Sequence, residues 1–265
     1  MGDVGFLARD GPSRSAHASG GAACVGQHVL FERESEARSR LHHFTAPWTR
    51  RSTFSRVHLV SRERVREVTV PLSERFDEAL VFAARLHAEQ KRKGTNIPYI
   101  AHLLSVAAIV LEDGGSEDEA IAALLHDAVE DQGGRATRNL IRENFGERVA
   151  EIVDGCTDAV GFPKPPWRAR KERYVAHIRE APPDVRRVSA ADKLHNARAI
   201  LADYRVIGDA LWKRFSGGKD GSLWYYRALI DAFRTHAPTP VVDELDRVVR
   251  EIEALSEIPA TSPRR

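Results

Sequence analysis

Residues 116–134 read SEDEAIAALLHDAVEDQGG, and the fold class turns on how this stretch is read. Ser116 and Glu119 stand at capping-box spacing, in which the serine hydroxyl takes the N–H three residues on and the glutamate reaches back. Behind them AIAALL is apolar enough to bury whatever follows it. The pattern predicts a helix over 117–129. Its last turns carry His126, Asp127, Glu130 and Asp131. His126 and Glu130 are four apart, as are Asp127 and Asp131, so the side chains leave adjacent sectors of the helix. Three carboxylates and an imidazole crowded at the negative end of a helix repel one another and oppose its dipole. A solvated acidic helix end is the ordinary explanation, but the apolar run buries the His-Asp pair at least in part, where unpaired charge is costly. A bound cation removes both penalties.

Outward from this stretch the apolar period stays helical. Over 73–91 it places Phe76, Leu80, Ala83, Ala84 and His87 on one stripe, with Ser73 as cap. KGTNIPY breaks that helix through Gly94 and Pro98. Further helices are expected over 100–111, 137–144, 147–159, 168–178, 184–204, 222–235 and 241–255. No stretch alternates like a strand, so the expectation is an all-α, multi-helix bundle over 71–258 with a flexible tail over 259–265. Before residue 71 no apolar period persists, and the Arg-, Ser- and Gly-rich composition predicts a largely disordered extension over 1–70.

Composition excludes some functions. The chain has 265 residues, 42% hydrophobic and 29% charged, and no window approaches the roughly 18 uncharged apolar residues of a membrane span. A net charge of +2 gives no global pull on nucleic acid. The only cysteines, Cys24 and Cys156, are too few for a disulfide framework, which points to a reducing, cytoplasmic setting.

Two other polar residues interrupt apolar stripes. His102 opens a helix in PYIAH, where a lone histidine is usually a packing or capping residue. Asp192 lies in SAADKLHNARAI and shares a face with Asn196, where pairing with Lys193 or Arg198 is the ordinary reading. With His126 and Asp127 they make two imidazoles and two carboxylates, a mixed set that suits Mn²⁺, Fe²⁺ or Zn²⁺ better than Ca²⁺.

Taken together, HxEQKRKGTNIPYIAH, HDAVED and DKLHN resemble the HD-domain metal phosphohydrolases. Within that superfamily they are most similar to the RelA/SpoT-type hydrolase domain and the small alarmone hydrolases, which remove the 3′-pyrophosphate of (p)ppGpp. The resemblance runs from about Phe76 to Leu201. It implies metal ligands at His102, His126, Asp127 and Asp192, with Mn²⁺ the best-suited ion. It also implies that Glu130 and Asp131 orient and activate the attacking water, and that Arg92, Lys93 and Asn196 line the nucleotide pocket. The partner so implied is a small nucleotide. No synthetase-like region follows the last helix, so a stand-alone hydrolase is expected. Neither His87, in the apolar stripe, nor His195 is assigned to the metal.

Departures bear on substrate choice. Leu103 follows His102 where the family commonly has proline, and EDQGG replaces EDT. Lys164, Arg168, Arg170 and Lys171 follow a helix, where a solvated surface outweighs a polyanion site. The stretch around Lys219, with Gly217, Gly218 and Gly221, reads as a loop: either a lid, or a connection whose Trp212, Trp224 and Tyr225 fill the core, the reading we favour. Competing functions are an HD-type hydrolase of nucleoside monophosphates or of a dinucleotide 2′-phosphate, a non-catalytic nucleotide sensor, and an RNA-binding protein using the Arg-rich arm.

Overall fold

In the computed structural model, which describes residues 72–158, 165–236 and 239–257, helices follow one another almost without interruption. They are α1 (Glu74–Leu86), α2 (Ile100–Glu112), α3 (Glu117–Leu125), α4 (Ala128–Asp131), α5 (Arg135–Phe145) and α6 (Glu147–Cys156). After them come α7 (Trp167–Glu180), α8 (Pro183–Ile207), a 3-10 helix (Gly208–Arg214), α9 (Gly218–Phe233) and α10 (Pro240–Glu257). Among the described residues there is no strand, only one bridge between Lys91 and Pro98, and the all-α expectation holds. The described residues belong to one unit of the chain, Arg64–Arg265. The arm over 1–70, the tail over 259–265 and Lys164 lie outside them.

Helix α3 forms for the reason its sequence gives. Glu119 Oε2 accepts the Ser116 N–H at 2.6 Å while Ser116 Oγ accepts the Glu119 N–H at 3.3 Å. From Glu119 to Leu125 every residue is buried, as befits a helix that is apolar on all sides. It packs on α1, α2, α6 and α8. The 25-residue α8 is the other axis of the fold and touches α2, α3, α6, α9 and α10. Leu103, Ile121, Leu124, Leu125, Ile152 and Leu194 are fully buried where these helices meet. Each such side chain contributes about 1.5–3 kcal/mol of burial.

Three expectations are corrected. Helix α1 ends at Leu86 rather than at residue 91, because the backbone beyond it closes a turn. Tyr99 N–H donates to the Gln90 carbonyl and Arg92 N–H to that of Ile97, both at 2.9 Å, around Gly94 at φ +75°, a conformation glycine adopts without a Cβ clash. The helix expected over 117–129 is two pieces. It stops at Leu125, and α4 restarts at Ala128 with Asp127 at its N-cap. The break coincides with a bond from His126 Nδ1 to the Ala123 carbonyl at 2.8 Å, the acceptor that the Asp127 N–H takes in an unbroken α-helix.

The glycine-rich stretch, read as a loop, is mostly helix, since α9 begins at Gly218. Lys219 does not reach towards a phosphate: its Nζ donates to the Ser256 carbonyl in the last turn of α10. Trp212 and Tyr225 are buried, in keeping with the favoured core reading, while Trp224 is half-buried under the guanidinium of Arg168, 3.2 Å from the ring centroid. The 3-10 helix was not anticipated. Trp167, at the start of α7, lies against the backbone of Gly217, where a Cβ would meet its Cη2 at 2.6 Å. Replacing Gly217 by alanine therefore costs about 1–3 kcal/mol through overpacking. A urea unfolding curve measures it, and an unchanged midpoint would show that Trp167 does not rest there.

Candidate metal centre

Three elements bring the polar interruptions together. The turn closed by the Lys91–Pro98 bridge delivers His102 in the first turn of α2. The end of α3 delivers His126 and Asp127, and the middle of α8 delivers Asp192. One ligand atom from each of His102, His126 and Asp127 lies within 4.8 Å of the others. Asp192 Oδ1 faces His102 Nε2 at 3.2 Å and His126 Nε2 at 3.6 Å. Asp127 Oδ2 faces the same nitrogens at 3.6 and 3.0 Å.

Both imidazoles are almost completely buried, and both Nε2 atoms lack a hydrogen-bond partner although carboxylate oxygens lie close by. Such buried orphans are uncommon in folded proteins. The lone pairs and the carboxylate oxygens flank a shared space rather than aiming at one another, which is the arrangement of a cation's donor set. Two nitrogens and two oxygens fit a divalent transition ion.

The rest of each side chain is tied down. His126 Nδ1 donates to the Ala123 carbonyl, which leaves Nε2 as the lone-pair nitrogen. His102 Nδ1 lies 2.7 Å from His195 Nδ1. The Tyr99 hydroxyl donates to Asp127 Oδ2 at 2.5 Å, while Lys193 Nζ donates to Asp192 Oδ2 and Asn196 Nδ2 to Asp192 Oδ1.

The electrostatics follow from this crowding. Burial disfavours charge on His126, but Asp127 and Asp192 outweigh it and raise the imidazole well above its ordinary value. Burial likewise opposes ionised Asp127 and Asp192, yet His126 holds the first well below the usual carboxylate range and Lys193 does the same for the second. Burial, then the charge of Asp127, push the Tyr99 hydroxyl up, so it remains a donor. Burial, then His102 and Arg92, lower His195 to about 4, and the ring is neutral at pH 7. A cation among these ligand atoms takes the place of the proton that His126 otherwise attracts, so metal binding releases protons.

Beside this cluster are two adjoining cavities of about 660 and 240 Å³. The smaller contains Asp127 and Asp192. Both are lined by Arg92, Glu130, Asp131 and Asn196, and the larger also by Lys93. Every residue that the resemblance implies for the metal, the water or the nucleotide therefore lies at the cluster or on the walls beside it. Arg92 Nη2 donates to Asn196 Oδ1 at 2.7 Å. Glu130 Oε2 faces the Asp158 N–H at 3.4 Å. Asp131 accepts from Gln90 Nε2 at 2.8 Å, and its carboxyl is pushed up by burial and then by the charge of Asp127. His87 holds Gln90 through a 2.6 Å Nδ1–Oε1 contact and so steadies the amide that donates to Asp131.

Some residues were missed. Tyr99 carried no signal beyond its place three residues before His102, whereas Lys193, named in the sequence as a possible partner of Asp192, does pair with it. Arg170 and Lys171, read as a solvated surface, instead face both the larger cavity and the carboxylate of Asp158. That reading is corrected, because the α7 face carrying them packs towards the site rather than outwards.

Comparisons agree with this picture. The HD domain matches residues 79–209. The guanosine-3′,5′-bis(diphosphate) 3′-pyrophosphohydrolase MESH1 of Xenopus tropicalis is 41% identical over 126 residues, which cover 46% of this chain and 68% of that protein. An enzyme of Aquifex aeolicus with the same activity in its name is 38% identical over 128 residues, 48% of this chain but only 18% of its own length. A solved structure described as a metazoan ortholog of SpoT that hydrolyses ppGpp superposes with a TM-score of 0.56 at 26% identity, covering 70% of this chain and 98% of that one. The chain belongs to the HD-domain family of metal-dependent phosphohydrolases, in the group of the MESH1/SpoT-type (p)ppGpp hydrolases. No helix among the described residues is long and apolar enough to cross a membrane.

The donor set predicts that a divalent cation binds the folded chain alone. At a concentration one hundred times its Kd it adds about 2.7 kcal/mol of stability. A thermal scan with Mn²⁺ and then with excess chelator reads this as a reversible rise in midpoint. Asp192→Ala should abolish the rise, and the same rise in that variant would remove Asp192 from the ligand set.

Proposed function

We propose that this chain is a (p)ppGpp 3′-pyrophosphohydrolase acting in the cytoplasm, with His102, His126, Asp127 and Asp192 holding one divalent cation, Mn²⁺ for preference. The observation that carries the metal assignment is the pair of buried, unpartnered Nε2 atoms facing two carboxylates that line the smaller cavity. The kinship with named ppGpp hydrolases supplies the substrate class. When bound, the cation supplies Lewis acidity, easing deprotonation of water and offsetting charge on the phosphoryl oxygens.

The chain's own residues do the rest. Glu130 and Asp131 lie on the wall beside the cluster and orient the attacking water. Asp131, with its carboxyl raised by burial and by Asp127, and Glu130 beside it are the carboxylates placed to accept the water's proton. Gln90 keeps the Asp131 carboxylate turned into the cavity. Arg92 and Lys93 bind the phosphates, with Arg92 already held in place by Asn196 before substrate arrives. Lys171, which also lines both cavities, adds a third positive charge, paired with Asp158 in the absence of substrate. At about 660 Å³ the larger cavity falls within the usual size of a small-ligand site.

Incubation with Mn²⁺ and a panel of ppGpp, pppGpp, nucleoside monophosphates and NADPH should release pyrophosphate from the first two. Rapid turnover of the monophosphates alone would overturn the substrate assignment. Glu130→Gln should keep the metal-dependent rise in melting temperature and lose about 10²–10⁴ in rate. Normal turnover in that variant would take Glu130 out of the reaction.

A further inference from the structure

We infer that His195 is a positioning residue of the metal centre: its Nδ1 accepts the Nδ1–H of His102 and so holds His102 in the tautomer whose Nε2 lone pair faces Asp127 and Asp192. The inference rests on the reading of His102 as a ligand and goes beyond it. It assigns a task to a side chain that touches no other member of the donor set.

The argument is one of proton bookkeeping on two rings. His102 Nε2 is buried, unpartnered, and set between carboxylate oxygens at 3.2 and 3.6 Å. To bind a cation it must present a lone pair, and a neutral imidazole with Nε2 bare carries its proton on Nδ1. That proton points away from the cluster, towards the one ring nitrogen within reach, His195 Nδ1 at 2.7 Å. Two N–H groups cannot share that gap, so His195 must offer a lone pair and keep its own proton on Nε2. His126 meets the same requirement differently, by giving its Nδ1–H to the Ala123 carbonyl. A backbone carbonyl can only accept. An imidazole accepts or donates according to its tautomer, so of the two imidazoles His102 is the one whose orientation depends on a side chain.

The fold leaves His195 little freedom. It lies three residues beyond Asp192 on α8, one turn along the same face, so a single helix sets both a carboxylate of the cluster and the acceptor behind an imidazole of the cluster. The two rings sit with centroids 4.8 Å apart and tilted by 39°, a geometry suited to an in-plane N–H···N bond rather than to stacking. His195 contributes nothing to the nitrogens and oxygens facing the candidate ion. Removing it therefore leaves the ligand count intact and changes only how well His102 is aimed.

Three variants and one spectrum test this. His195→Leu keeps the volume and removes the acceptor. His195→Asn restores an acceptor oxygen near the place of Nδ1. His102→Ala removes the ligand itself. Mn²⁺ affinity of each full-length, metal-free protein is measured by calorimetric titration, with the circular dichroism melting curve of the metal-free state as a check on folding. We expect affinity to fall about 10–100-fold in His195→Leu, the usual cost of losing such a partner, and to return to within a few-fold of the parent in His195→Asn, with metal-free melting curves alike. Full affinity in a folded His195→Leu protein, with binding lost in His102→Ala, would overturn the role of His195 while leaving the ligand reading standing. Full affinity in His102→Ala would overturn both. Should His195→Leu not fold, the parent chain decides the matter in its diamagnetic Zn²⁺-loaded form. A ¹⁵N–¹⁵N coupling across the bond, with the proton on His102 Nδ1 and the His195 proton on Nε2, is the expected spectrum. A protonated His195 Nδ1 contradicts the inference.

Discussion

Two imidazole lone pairs and two carboxylates must face one small space inside a helical core, and much of the architecture answers to that demand. Burying such groups without partners costs several kcal/mol each, so every remaining polar atom on them has to be satisfied from outside the cluster. The partners come from different elements: the Ala123 carbonyl from α3, the Tyr99 hydroxyl from the turn before α2, and Lys193, His195 and Asn196 from α8. Helix α3 gives up its last turn to that end. Its break at His126 frees the carbonyl that the His126 ring then uses, and it also turns Asp127 towards the site.

Helix α8 is the reciprocal case, since it is not broken but long. One uninterrupted run from Pro183 to Ile207 carries Asp192, Lys193, His195 and Asn196 within two turns, and their backbone geometry admits no relative adjustment. Apolar neighbours such as Val188, Ala191, Leu194 and Ala197 are buried on the same helix. Its position is therefore set by core packing, and the polar residues inherit it. A site on rigid elements holds its geometry without help from substrate.

What the sequence disclosed follows the same division. Local features were legible: the capping box at Ser116 and Glu119, the buried AIAALL run, and the spacing of the HD and ED pairs each involve residues within a few positions of one another. The break in α3 was not legible, because the periodicity of apolar residues continues across it. The decisive event is a side chain taking a backbone acceptor. The partners of the cluster were hidden for another reason. Tyr99 meets Asp127 and Arg92 meets Asn196 across 28 and 104 positions, and no local pattern records such a meeting. The lid, the less favoured of the two readings of the Lys219 stretch, fails in the opposite sense. A lysine among glycines resembles a phosphate-binding loop, but the helical start at Gly218 turns it towards the end of α10.

The basic residues on the cavity walls differ in how their charge is answered within the chain. Arg170 and Lys171 converge on Asp158, whose side chain is only 8% exposed, and Arg214 and Asp203, which also line the larger cavity, pair at 2.7 Å. Each of these cations thus has an internal counter-ion, and a phosphate has to compete with it. Arg92 differs: among the described residues its guanidinium donates to the neutral amide of Asn196 and lies 5.9 Å from the centre of the Tyr99 ring. An amide orients without cancelling charge. Arg92 is thus held in place by a neutral partner rather than by a counter-ion, and it stands on the turn that leads directly into His102. Arg92 on the cavity wall and His102 in the candidate metal centre are consequently both placed by the ten residues of backbone 90–99, closed by the bridge between Lys91 and Pro98.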